Sequence, residues 1–190
     1  MKKLLAVLVL AALGATAQEG EKKKKSEAEA MMEYYLEQAK PVDEHRRLAE
    51  LAGPWKITST LWFNDMAIPS TGTGSGKMIL GGRFLQLDAK MTGQLSADYL
   101  TLMGFDRRTG EYTMVGFDTV GTYYITAAGK YDEAKKAVVL HGSYVQPPAN
   151  ELTKYYFVWT NPNPREHVMV LYFVMGGKDV RVAETRYVRE

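Results

Sequence analysis

Three histidines, a scatter of carboxylates and no cysteine are what this 190-residue chain offers for chemistry. Without cysteine there is no disulfide, no thiolate zinc site and no cysteine nucleophile. His167 stands in "NPREHVMVLYF", and strand alternation puts it on one face with Met169, Leu171 and Phe173. An imidazole on such a face could ligate haem iron or another metal, and Met-rich, aromatic surroundings would suit a porphyrin. The competing reading is a hydrogen-bonded residue at a strand end. His141, in "VVLHGSY", faces away from Val138 and Leu140, toward either a pocket or solvent. His45 falls on a short helix and is expected to be exposed. Histidines so far apart make no metal triad by spacing. Asp88, Asp118 and Glu184 are candidate interior carboxylates, and a buried Glu184 would need Arg186 or Arg189 as a partner. None forms an acid–base pair by spacing alone. No G-x-S-x-G or H-E-x-x-H motif occurs. The glycines of "TGTGSGK" lead into a strand rather than a helix, which excludes a phosphate loop and predicts a flexible, polar hairpin arm.

The elements that would position these residues follow from period and punctuation. "EHRRLAELA" carries Leu48, Leu51 and Ala52 on one side, with Asp43 as the expected N-cap and Gly53 at the helix end. After Gly53 the apolar period changes to two, and turn signals recur about every ten residues. Strands are predicted at 55–63, 72–80, 83–91, 98–106, 111–118, 122–131, 137–146, 153–160, 167–175 and 179–188. Gly81-Gly82 and Gly176-Gly177 supply tight turns, and "QPPAN" and "NPNPRE" keep their prolines outside the strands. The fold class is therefore all-β, an up-and-down antiparallel barrel of about ten strands with a short N-terminal plug helix. Closure removes both sheet edges. Gly53-Pro54-Trp55 would fold the helix across the barrel floor and drop Trp55 inside.

If Trp55 points inward, so do Ile57, Ser59, Leu61 and Phe63. Ser59, Leu61, Leu85, Leu87, Met91, His167, Met169, Leu171 and Glu184 are the candidate ligand-binding residues. A barrel of this size either fills with side chains or holds one small molecule, here a mostly apolar one. No cofactor is called for, with haem on His167 as the alternative, and a cofactor-free barrel enzyme as a further one.

The first seventeen residues, "MKKLLAVLVLAALGATA", read as a signal peptide: two lysines, a short apolar run and a small-x-small end at Ala15 and Ala17. The mature chain would begin at Gln18 and be periplasmic or secreted. Residues 18–40 form a charged spacer with a weak helix, and 41–190 the barrel domain. Without the two leader lysines, 22 basic residues balance 22 acidic ones. That neutrality gives no reason to invoke nucleic acid or an anionic membrane. Lys56, Lys90, Lys130, Lys154 and Arg181 in or beside strands argue against an outer-membrane barrel.

Gly53-Pro54-Trp55 is also the G-x-W signature that opens the first strand of lipocalins and other calycins. With "ILGGRFLQ", "LMGFDRRTGEY", "GKYDEA" and "ETRYVRE", residues 41–190 resemble the DUF1579 family of exported bacterial proteins of unassigned function. The resemblance implies kinship with the calycins, which include haem-binding nitrobindins that hold haem broadly where His167 falls. It also implies a structural latch in which Trp55, next to Gly53, packs against a basic residue of the last strand. Arg189 is the matching position, with Arg186 second.

Overall fold

The computed structural model describes residues 25–63, 66–146, 148 and 150–189, so the signal peptide expected at residues 1–17 falls outside the described residues. Two helices, α1 (Glu27–Gln38) and α2 (Asp43–Ala49), precede ten strands. These are β1 (Gly53–Phe63), β2 (Met66–Ile79), β3 (Phe84–Gly93), β4 (Ala97–Asp106), β5 (Glu111–Asp118), β6 (Tyr124–Asp132), β7 (Ala137–Gln146), β8 (Glu151–Asn163), β9 (Glu166–Met175) and β10 (Lys178–Val188). Each pairs antiparallel with its neighbours in sequence, and β10 returns to β1 to close the barrel.

The expected strands are all present. The largest departure is β2, which begins at Met66 and takes in the whole of "TGTGSG". That stretch is wall, not a loose arm. Gly72, Gly74 and Gly76 alternate with exposed Thr73 and Ser75, so the glycines face inward where neighbouring chain runs close. A Cβ on Gly76 would lie 2.1 Å from the Leu51 carbonyl, where α2 ends. The Leu80–Arg83 connection is longer than a two-residue turn, with Leu80 at φ 50°.

α2 closes one barrel end, packed against β2, β3 and β4. Leu48 and Leu51 are fully buried, and Gly53 makes the sharp exit at φ 103°, a backbone conformation costly for other residues. Two expectations fail here. Asp43 is the first helical residue and Val42 the cap, whose amide donates to Nδ1 of His45 at 3.0 Å. His45 is consequently buried rather than exposed, edge-on to Phe105 at 5.9 Å. Arg47 lies over the Tyr131 ring at 3.7 Å. α1 has no buried residue and is tied down at its C-terminal end, where Arg83 donates to the Ala39 carbonyl and Arg107 to that of Glu37.

Candidate functional site: a floored barrel with an open half

The floor is built around Trp55. Its indole N–H donates to the Leu51 carbonyl at 2.8 Å, tying β1 to the end of α2. The Arg189 guanidinium sits over the ring at 4.4 Å, while its Nη2 donates to the carbonyls of Glu50 and Ala52, both at 2.7 Å. Those carbonyls are unsatisfied groups at a helix C-terminus, where a cation is favoured. Arg189 thus joins the last strand, the first strand and the plug. Arg186 points outward instead, to Glu166.

His167 belongs to this floor. It is 1% exposed, edge-on to Trp55 at 5.2 Å, and its Nδ1 accepts from Nε1 of Trp159 at 3.1 Å. Nδ1 is therefore unprotonated, and the proton of the neutral ring is on Nε2. Nε2 faces the Glu50 carbonyl without closing a well-formed hydrogen bond. Burial pushes the pKa down to about 4, with the Arg189 charge adding to the effect. An axial haem ligand needs a free ring nitrogen beside a porphyrin-sized space; here one nitrogen is engaged and the other is pressed against the plug. The surroundings of His167 do not fit haem. Among the described residues no cluster of three or more metal-ligating side chains occurs.

Above the floor the register sets the inner wall. Ile57, Ser59 and Leu61 lie opposite Tyr187, Thr185 and Ala183 on β10, which lie opposite His167, Met169 and Leu171 on β9. Ser59 and Thr185 share a hydroxyl contact at 2.9 Å. Leu85, Leu87 and Met91 are buried in the lower core with Ile57, Met103 and Leu140. Higher up, Leu61, Met169, Leu171, Phe173, Ile125 and Tyr144 are only half-buried although they face inward. Tyr187 combines both properties: burial pushes its hydroxyl up to about 12, yet the side chain keeps accessible surface. In a closed barrel, an inward side chain that is deep and still accessible borders unfilled space.

Glu184 is not on that wall. It lies opposite Thr60 and Val170, whose side chains point outward, and pairs there with Arg181 and, at 3.7 Å, Arg186. Alternation back from Arg189 through Tyr187 and Thr185 to Ala183 is unbroken and gives Glu184 the outer phase; the register shift of β10 lies before it, between Arg181 and Ala183. Asp88 faces outward beside Gln86, and Asp118 caps the amides of Val120 and Gly121. His141 is exposed and packs on Tyr156 at 5.7 Å. A depression of about 530 Å³ on the β2–β5 wall is lined mainly by outward residues such as Thr73, Lys90 and Phe117, with Tyr99 and Asp118 of the inward phase at its edge. Sequence reasoning left out Tyr187 and Trp159. Their phase, two residues beyond Thr185 and Phe157, was the available signal.

One ladder of the wall is short. β6 and β7 pair only between Ala128–Asp132 and Ala137–His141, so their ladder stops short of the open end, although Gly142 still lies close against the Thr126 carbonyl. The Tyr155 hydroxyl, opposite Gly142, donates to the Thr126 carbonyl at 2.8 Å where the ladder ends.

These features define a calycin-like barrel, floored at one end. Residues 40–189 match the family described as "Protein of unknown function (DUF1579)", and the chain belongs to that family. No curated protein sequence matches it. Among solved structures, it is similar to the S-type phycobiliprotein lyase CPES from Guillardia theta. The TM-score is 0.52 at 10% identity, over 82% of this chain and 96% of that one. It is also similar to Rv2717c from M. tuberculosis, with a TM-score of 0.57 at 13% identity over 80% and 99%. At such identities the likeness is one of fold.

Proposed function

We propose that this protein is an exported, lipocalin-like carrier that holds one small, mostly apolar molecule in the open half of its barrel, without transforming it. The half-buried inward set of Leu61, Met169, Leu171, Phe173, Ile125 and Tyr144 carries this reading. Apolar side chains facing one another across unfilled space favour an apolar guest. Ser59, Thr185 and Tyr187 put hydroxyls at its lower end, enough to orient one polar group of a ligand. Asp118 shares the inward phase of Met114 and lies opposite Tyr99, but its carboxylate caps the Val120 and Gly121 amides. No second carboxylate stands beside it among the inward residues named above, which is why a carrier is preferred to an acid–base enzyme.

The test is titration with an apolar fluorescent probe, alongside native mass spectrometry of the purified protein. Ala183 faces inward between Leu61 and Leu171, so Ala183→Trp would fill the space. Saturable one-to-one binding that this variant abolishes is the expected result. Binding unchanged in a folded Ala183→Trp, or no binding by the wild type, would refute the carrier reading. A Soret band in the purified protein would show haem and overturn the account of His167.

A further inference from the structure

A cavity of about 350 Å³ lies at the floored end, where the end of α1 meets α2 and the β2–β3 and β4–β5 connections. It is large enough for a small molecule. Two carboxylates beside it are already paired. Asp106 is held by the Arg108 guanidinium at 2.7 and 2.9 Å, and Glu37 by Lys40 at 2.6 Å and by Arg107 at 3.8 Å. With Glu44, whose charge also reaches His45, three carboxylates stand against four cations, Arg83, Arg107, Arg108 and Lys40. Arg83 has no carboxylate partner among the described residues. Its Nε donates to the Ala39 carbonyl at 2.6 Å and its Nη1 to that of Leu80 at 2.9 Å, which leaves Nη2 over. His45 supplies a second donor of this kind. Its ring is 6% exposed and lines the cavity. Because the Val42 amide donates to Nδ1, the ring proton is on Nε2. Nε2–H makes no hydrogen bond among the described residues, yet it is not sealed in like Nε2 of His167, so it opens on the cavity. Burial, aided by the charges of Arg107 and Arg83 and opposed by Glu44, holds the ring below its usual pKa, and it stays a neutral donor.

We infer that this cavity binds a small organic carboxylate. One oxygen accepts from Nε2–H of His45, the other faces Arg83, and the body of the ligand lies against Phe84 and Phe105. A guanidinium with a neutral N–H donor beside it suits a planar anion with two oxygens. The two rings favour a ligand with an apolar body over an inorganic ion. Both rings are held in place. Phe84 lies against Gly104, its partner on β4, where a Cβ would come within 2.7 Å of the ring. Phe105 is edge-on to His45 at 5.9 Å and tilted on Tyr112 at 5.0 Å. The inference does not rest on the carrier reading, because it uses none of the inward residues of the open half.

The test is titration of the purified protein with sodium benzoate, read from the ring-nitrogen resonances of its histidines by NMR. The His45 signals are identified by their loss in His45→Gln. Benzoate should move the His45 Nε2–H resonance along a saturable one-to-one curve and leave exposed His141 where it is. Arg83→Gln removes the charge but keeps a donor for the Ala39 carbonyl, and affinity should fall at least ~10-fold. Phe84→Ser, at a site 40% exposed, should weaken benzoate several-fold with the urea midpoint unchanged. Inorganic phosphate at equal concentration should not displace benzoate. No movement of His45, an affinity indifferent to both variants, or displacement by phosphate would each overturn the inference. Ala183→Trp separates this site from the carrier pocket. It should abolish binding of the apolar probe and leave benzoate at His45 unchanged; loss of both would place benzoate in the barrel and overturn the inference.

Discussion

Arg189→Ala tests whether the penultimate residue holds the barrel shut. Its guanidinium makes two 2.7 Å hydrogen bonds to helix-end carbonyls and one ring contact at 4.4 Å. Hydrogen bonds involving a charged donor are worth ~1.5–3 kcal/mol each, and these partly exposed ones fall at or below the low end. The cation–π contact adds about 1 kcal/mol. The variant should therefore lose about 3 kcal/mol, equivalent to roughly 6–12 °C in Tm for a domain of this size. Arg189→Lys keeps the charge but cannot span both carbonyls, and should lose about half as much. Arg186→Ala, whose pairs with Glu166 and Glu184 lie on the outer face, should cost under ~1 kcal/mol. The assay is urea unfolding at fixed pH, comparing midpoints at constant m-value. If Arg189→Ala lies within ~0.5 kcal/mol of the wild type, the C-terminus frays and Trp55 needs no latch.

Other outcomes follow from the same geometry. His167 titrates near 4 when folded and near 6.5 when unfolded, so its contribution is complete above pH ~6.5 and is lost as pH falls toward 4. The loss amounts to about 3 kcal/mol, and urea midpoints at pH 7.5 and 4.5 should show a drop that His167→Gln flattens. Gly76→Ala drives a Cβ against the Leu51 carbonyl and should cost at least ~3 kcal/mol or prevent folding, read by the same unfolding curves. Glu184→Gln touches only the outer face, so probe affinity should be unchanged; a tenfold change would place that carboxylate back in the site.

The meander was legible because each strand announces itself by alternation and each turn by its glycines, prolines and asparagines. The plug was legible from Gly53-Pro54-Trp55, and the latch only through the resemblance to the calycins that this motif carries. Three features were not. Inward glycines on β2 look like a loop in sequence, since what they make room for comes from Leu51 and Lys90. The exposure of His45 was misjudged because its bond to the Val42 amide draws it beneath the helix. Glu184 was chosen for its nearness to Arg186 and Arg189, but its carboxylate meets Arg181 and Arg186 on the outer face, the phase opposite to Tyr187 and Thr185. The first two errors arose where a distant part of the backbone or a local hydrogen bond overrode the sequence pattern.

The closing pair has a kinetic consequence. Nine of the ten strand pairings join sequence neighbours, whereas the Arg189–Ala52 contact spans 137 residues. Local pairings form first, and the long loop must close before the last one is rewarded. Until β10 arrives, β1 presents an unpaired edge and Trp55 lacks its cover. A chain cut short by even its last strand would keep nine strands of well-formed sheet and two adhesive margins, β1 and β9, prone to pair with another copy. Completion of the chain is thus what separates a solitary molecule from the start of an aggregate.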